Sequence, residues 1–574
     1  MNSVIYLLLR RLRWPLITLI VVYAISITGF VLIPGMDDKG QPWQMGFFHA
    51  FYFVSFMGST IGFGEIPYAF TDAQRYWAML TIYVTVIAWL YGIGTMLAIL
   101  QDQAFSRMRA RQRFRNAVKA IQEPFYLICG YGVTGSLLVN KLASRGIQAV
   151  VVDINQQRID DLLTDTLPMA VPALCADACE PDILTDAGLL KQHCIGVVAL
   201  TNSDEVNLAV AIASKLLATR TPVISRAESQ AINDNLASFG TEHIVNPFES
   251  FAEYLAMAIH SPYKHLVYDW LVNPRHRPAK IGAHQVQGTW VICGYGRMGQ
   301  ALHRYLGAHQ VDMVVIDEDP AKFGMMDDMV LGLGTEAVTL QEARIAQAVG
   351  VVAGTASDAN NLSILMTARM LNPELITVAR QNQRYNERVF QAACPDYVME
   401  PAWIIANKIM LLIKTPLLLD FLRQMGGQSD AWAQQLIERM REVVDDQELD
   451  SWSLTIDQQE APAIMTALTD RQSVPLGVLQ VDPRQRLDAL KAFPLMIKRS
   501  NGLVLLPTTD TLLQEGDVIL FCGRYRASAL MQWTAGNYNV LRYVRDGFDG
   551  ASGYVWRWLS KSYRERRKMS HEIK

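Results

Sequence analysis

Two charge-free apolar runs, residues 14–36 and 76–101, stand close together near the start of a 574-residue chain. Each exceeds the roughly 20 residues a helix needs to cross a bilayer. Between them lies a stretch too short and too polar for a third span, holding Ser59, Thr60, Ile61, Gly62, Phe63, Gly64 and Glu65. Irregular backbone at membrane depth is tolerated only where protein buries it or where it lines a water-filled path. Glycines at alternate positions permit backbone angles that a β-carbon forbids, so the carbonyls of Thr60, Ile61, Gly62 and Phe63 can all point one way. Four copies of such a loop would replace an ion's hydration shell with rings of oxygen. Residues 49–58 read as a short helix whose carboxyl end aims its dipole at the same place. The plain alternative is a glycine turn in a hydrophobic hairpin.

The string resembles the T-V-G-Y-G-D selectivity filter of potassium channels, with Ile61, Phe63 and Glu65 in place of that family's Val, Tyr and Asp. Tyr52 and Phe53 stand where the family has paired aromatics. The resemblance implies a potassium path formed by Thr60, Ile61, Gly62, Phe63 and Gly64, with K+ as the permeant ion. Because backbone carbonyls coordinate, the missing tyrosine hydroxyl removes a brace rather than a ligand. In the second run, Gly92 and Gly94 resemble the hinge of two-span channels gated from the cytoplasm, which makes Gly92 the hinge candidate. Close helix packing in lipid is the other reading of these glycines.

Arg10, Arg11 and Arg13 precede the first run, and Arg107, Arg109, Arg111, Arg113 and Arg115 follow the second. By the positive-inside rule both ends face the cytoplasm of a multi-pass inner-membrane protein. The loop between holds Asp37, Asp38, Glu65 and Asp72 against Lys39 and Arg75, which predicts a mildly acidic outer mouth. The first run is longer than the apolar core of a signal peptide, about 7 to 15 residues, so it reads as an anchor.

The length leaves room for about three or four domains. With 51% hydrophobic residues and a net charge of −3, the composition fits a short membrane part joined to soluble α/β domains. A many-span transporter and a nucleic-acid binder are both disfavoured. Seven cysteines, odd in number and mostly in apolar strand-like runs, read as reduced core thiols.

The rest of the chain repeats itself. Residues 125–135 and 290–299 are apolar strands running into GxGxxG turns, formed by Gly130, Gly132 and Gly135 and by Gly294, Gly296 and Gly299. In each copy an acid, Asp153 or Asp317, ends a second apolar strand 23 residues after the first glycine. That spacing lets backbone amides meet a pyrophosphate and a carboxylate meet a ribose hydroxyl. Thr201 and Thr355, Arg226 and Arg380, and Pro247 and Pro401 are each 154 residues apart, so whole domains are duplicated.

A two-span pore followed by tandem nucleotide folds resembles the RCK (KTN) gating domains of prokaryotic ligand-gated potassium channels. The resemblance implies a membrane pore domain at 1–101, a basic linker at 102–123 and Rossmann-like RCK domains at 124–278 and 288–445. A small α+β carboxyl-terminal lobe at 446–530 and a basic tail at 531–574 complete it. The proline-bearing helical runs at 250–262 and 403–416 resemble the family's dimerising crossover, and the short passage from the first repeat into the second implies that the first repeat's small lobe is missing or reduced. The implied assembly is a homotetramer in a lipid bilayer with a cytosolic ring, gated by NAD(H) or another adenine nucleotide. Arg297, inside the second turn, reads as a cation for the ligand's phosphates and favours that repeat. Arg226 and Arg380 reach either a phosphate or an interlobe ion pair. No metal site, no enzyme and no nucleic-acid partner is expected; Cys175, Cys179, His193 and Cys194 match no common zinc spacing. Of the basic residues at 554–574, a solvated helix is expected rather than a membrane-surface one. The alternatives are a membrane-anchored NAD-dependent oxidoreductase and a nucleotide-sensing regulatory subunit of a separate potassium transporter.

Overall fold

The computed structural model describes residues 2–101, 103–241, 243–272, 288–319, 329–444 and 449–547. It divides into two compact units, Met1–Gln122 and Glu123–Lys574.

In the first unit, helices Asn2–Leu32 and Asp72–Gln101 carry apolar segments, Leu12–Leu32 and Asp72–Ile99, with mean hydropathies of 2.3 and 1.9. Both are long and apolar enough to cross a membrane. The first helix ends at Leu32 although the apolar run continues to 36, because Pro34 disfavours helical backbone in the residue before it. Gly35–Met36 then pairs antiparallel with Pro42–Trp43. The short helix Phe47–Gly58 packs between the spans through Phe53, whose ring lies 4.9 Å from Phe30 and 4.8 Å from Phe70. Two indole N–H groups tie the spans together, Trp77 to the Ser26 carbonyl (3.0 Å) and Trp89 to the Tyr23 hydroxyl (2.8 Å). A basic helix, Gln103–Ala120, ends the unit.

The second unit holds two six-stranded parallel sheets. The first runs Ala173–Cys175, Gln148–Asp153, Phe125–Cys129, Cys194–Ala199, Val223–Arg226, His243–Val245. The second runs Met329–Leu331, Met313–Asp317, Trp290–Cys293, Gly350–Ala353, Ile376–Arg380, Tyr397–Met399. Central strands such as FYLIC and WVIC are apolar at almost every position because helices cover both faces. Strand order switches direction between Phe125–Cys129 and Cys194–Ala199, and between Trp290–Cys293 and Gly350–Ala353, and ligands of such folds bind outside the strand ends at that point.

Each sheet is covered in part by the other repeat. Helix Pro247–His260, which follows the first sheet, buries Phe248, Phe251, Leu255 and Ile259 against Trp290, Met298 and Leu302 of the second. Helix Pro401–Lys414, which follows the second sheet, buries Ile405, Ala406, Ile409 and Met410 against Leu138, Val139 and Leu142 of the first. Pro262 and Pro416 then turn the chain into Pro262–Val272 and Pro416–Gly426, the second pair bending by 112°. The exchange carries much of the stability: Phe251→Ala should cost about 3–5 kcal/mol, read as a lowered thermal midpoint.

A four-stranded antiparallel sheet, Leu449–Thr455, Val518–Arg524, Ala492–Arg499, Gly502–Leu505, follows the second repeat. One face packs on Pro262–Val272 and Asp430–Val444 through Phe493, Leu495 and Leu520. The other is covered by Pro462–Thr469, Tyr525–Gly536 and Tyr538–Asp546. Residue 530, expected as this lobe's end, falls inside a helix, and Leu541 and Val544 still belong to the lobe's core. The expected basic stretch at 554–574 and the connection at 273–278 lie outside the described residues.

Candidate functional site

In the first unit, residues 59–65 leave helix Phe47–Gly58 with left-handed backbone at every second position: Thr60 (φ 61°), Gly62 (φ 69°) and Gly64 (φ 96°). The two glycines were expected there, whereas Thr60 is β-branched and adopts the same region at a cost. The turn is held by the Ile61 N–H donating to the Phe56 carbonyl (2.9 Å) and the Thr60 N–H to that of Met57 (3.1 Å). Phe63 has no hydroxyl, but its ring stacks on Tyr52 at 6.5 Å and meets the edge of Phe56 at 5.5 Å, so packing braces it. Beyond the loop, Glu65 accepts from the Arg75 guanidinium (2.8 Å) and from the Phe70 N–H (2.8 Å). The Arg75 hydrogen bond, and after it that of Phe70, hold the Glu65 carboxyl below the usual carboxylate range. Arg75 also lies 3.7 Å from Asp72, so part of the acidic field expected around this loop is compensated locally. Gly92 sits within the continuous helix Asp72–Gln101, with no atom within 4 Å of where a β-carbon would stand.

In the second unit, both GxGxxG turns lie at the reversal points of their sheets. Strand Phe125–Cys129 passes through Gly130 (φ 107°) into helix Val133–Ala143, and Trp290–Cys293 through Gly294 (φ 97°) into Arg297–Ala308. A β-carbon on Gly135 or Gly299 would come within 2.1 or 2.2 Å of the carbonyl oxygen of Gly130 or Gly294, so only glycine lets helix and strand approach this closely. The N-cap positions are Gly132 and Gly296, neither supplying a side-chain cap, and nothing lies within 4 Å of a β-carbon on Gly296. First-turn N–H groups in such a helix are left for an outside acceptor.

The two strand-end acids brace these turns. Asp153 accepts from the N–H groups of Tyr131 (2.5 Å) and Asn155 (2.7 Å), and Asp317 from those of Tyr295 (2.7 Å) and Asp319 (3.0 Å). Both oxygens of Asp317, and Oδ1 of Asp153, keep a second lone pair for another donor, while Asp153 Oδ2 also accepts from Arg158. Sequence reasoning missed Arg158, whose Nη1 lies 3.5 Å from Asp153 and 3.6 Å from the position a Gly132 β-carbon would take.

Arg297 and Arg380, expected at a ligand's phosphates, both meet groups of the first repeat. Arg297 pairs with Glu228 of the first repeat and sits 5.2 Å over the Phe248 ring. Arg380 lies 4.9 Å over the same ring with its Nε buried and unpartnered. Burial, and then the charge of Arg297, holds the Arg380 guanidinium below its ordinary value. Arg226 takes the interlobe option only indirectly, pairing with Glu228 inside its own repeat. The cause is the helix exchange, which brings the amino end of Pro247–His260 to the second repeat. The signal in the sequence was divergence: 154 residues on from Glu228 and Phe248 stand Asn382 and Ala402.

Asp204 and Asp358 cap the chain that follows the neighbouring strand. Asp204 accepts from the N–H groups of Glu228 and Ser229, and Asp358 from those of Asn382 and Gln383. Among the described residues no three His, Cys, Asp or Glu side chains gather as a metal site. Burial pushes the Cys129 and Cys293 thiols up to about 12 and that of Cys194 to about 11, which leaves them inert at neutral pH.

An ion-channel family matches residues 17–102, and the TrkA-N domain matches residues 126–247 and 290–401. Potassium channel protein 1 of Methanocaldococcus jannaschii is 25% identical over 203 residues, 35% of this chain and 59% of that protein. Probable potassium channel protein 2 of the same organism is 28% identical over 233 residues, 40% of this chain and 63% of that protein. The chain thus spans about three fifths of the length of these curated relatives. Among solved structures, the GsuK channel bound to NAD aligns over 93% of this chain and 100% of that one, at 16% identity and a TM-score of 0.45. Residues 17–102 thus match the ion-channel family and residues 126–247 and 290–401 the TrkA-N domain, in a chain homologous to potassium channel proteins.

Proposed function

We propose that four copies of this chain form a potassium-selective channel in the cell membrane, with both termini in the cytoplasm. Ligand binding to a ring of TrkA-N repeats gates it. The observation that carries this reading is the loop at 59–65, left-handed at alternate residues and held at the end of a short helix between two spans. Repeated around a four-fold axis, the carbonyls of Thr60, Ile61, Gly62, Phe63 and Gly64 supply the oxygen rings that replace a potassium ion's water, and Gly92 is the point at which the second span bends. The ligand is NAD(H) or another adenine nucleotide. Its phosphates take the open N–H groups beside Gly132 or Gly296, and Asp153 or Asp317 accepts from the ribose. With Arg297 committed to Glu228, the two turns stand level, and Arg158 gives the first a cation.

Purified protein in potassium-loaded liposomes tests the whole reading. Current that prefers K+ over Na+ and changes on adding NADH or ADP is expected; equal Na+ and K+ current, or none, overturns it. Nucleotide-insensitive potassium current overturns the gating half alone. A chain ending at Gln122, the limit of the first compact unit, should still conduct and should ignore nucleotide. Retained sensitivity would move the sensor into the first unit.

A further inference from the structure

A cavity of about 280 Å³ lies where the two exchanged helices meet, remote from both glycine turns in the sequence and lined by neither. Its apolar wall is aromatic, formed by Tyr254, Tyr268 and Trp403. At one side, neighbouring residues of helix Pro401–Lys414 present two nitrogen donors. Lys408 Nζ donates to Ser250 Oγ at 2.9 Å, and among the described residues it has no ion-pair partner. Burial holds its ammonium below the ordinary lysine value. Asn407 is 8% exposed; its Oδ1 accepts from Lys141, while its Nδ2 is buried with no partner. An ammonium carries three donors and an amide nitrogen two, so most of this donor capacity is unmet in a place sheltered from water. A buried unmet donor costs about 1–3 kcal/mol, which an incoming acceptor would recover.

The cavity also limits what that acceptor is. Asp269 and Asp396 line the same space and oppose each added negative charge, so a single charge set on Lys408 and the Asn407 amide is favoured over a phosphate dianion. The volume is just under the roughly 300–1,000 Å³ of ordinary ligand pockets and suits a one-ring body against aromatic walls. We propose that this cavity is a binding site for a small aromatic monocarboxylate, its carboxylate on Lys408 Nζ and Asn407 Nδ2 and its ring between Tyr254, Tyr268 and Trp403. Because helices from both repeats build the site, the ligand stiffens their junction. The site stands whether or not the channel reading does.

The test uses full-length protein in detergent and fluorine NMR relaxation, with 4-fluorobenzoate as probe and 4-fluorobenzamide as its uncharged isostere. Saturable binding of the benzoate is expected, at least tenfold tighter than the amide. Lys408→Met keeps the side-chain stem and removes the charge, so it should leave the fold intact by thermal melting and weaken the benzoate at least tenfold without affecting the amide. Ile404→Trp fills the cavity while leaving Lys408 in place and should remove binding of both probes. No saturable binding to the wild type, equal affinity for the two probes, or benzoate affinity unchanged in either variant overturns the site.

Discussion

Gly64→Ala should abolish potassium current while leaving the assembled protein intact. The reason is conformational rather than a matter of crowding, since nothing lies within 4 Å of where the new β-carbon would stand. At φ 96° the backbone is well outside the left-handed helical well that other residues visit, and an alanine there must rotate its peptide and with it the neighbouring carbonyls. Gly62, at φ 69°, is inside that well, so Gly62→Ala costs only about 1–2 kcal/mol and should lower current less severely. Thr60 at φ 61° already shows that a β-carbon is tolerated nearby. Recording both variants in liposomes, with size-exclusion chromatography to check assembly, reads the order directly. Wild-type selective current in Gly64→Ala would sink the assignment of this loop as the ion path.

Asp317→Ala should weaken nucleotide binding by about one to two decades, the equivalent of losing one charged hydrogen bond of about 1.5–3 kcal/mol. The carboxylate has two tasks, accepting from Tyr295 and Asp319 in the turn and from a ribose hydroxyl, and the substitution removes both. Asp317→Asn separates them: it keeps one acceptor for the turn, so a turn-bracing role alone predicts partial rescue. Asp153→Ala asks the same of the first repeat and should have at least as large an effect, because Arg158 stands beside that turn. Calorimetry on residues 123–574 with NADH and ADP reads all three. Affinity unchanged in both Asp317→Ala and Asp153→Ala would leave the turns as scaffold only.

What could be read from the residues was whatever depends on neighbours in sequence. Charge-free runs fix spans, GxGxxG after an apolar strand fixes a turn, and the acid 23 residues on fixes the end of the next strand. Pro34 carried the end of the first helix, but the apolar run masked it. What was hidden depends on contacts between distant segments. No local pattern says that Phe251 and Leu255 cover the sheet of the other repeat, because an amphipathic helix fits any apolar face of the right shape. The partner of Arg297 was hidden for that reason: its position in the turn is local, while Glu228 comes from the other repeat. Thr60 was hidden too, since its left-handed backbone is imposed by the surrounding loop against its own preference.

The helix exchange also bears on how such a chain can have changed over time. A duplicated domain ordinarily leaves one copy free to drift while the other keeps the task. Here the copy that drifts holds part of its sibling's core in Phe248, Phe251 and Leu255, and its own sheet leans on Ile405, Ala406 and Ile409 from the other. Neither copy can be lost, swapped for a foreign domain or allowed to decay alone without exposing the survivor's apolar face. Difference between the copies is therefore admitted where the face stays apolar, as at Phe248 and Ala402, or lies off it, as at Glu228 and Asn382, and the pair persists as one inherited piece.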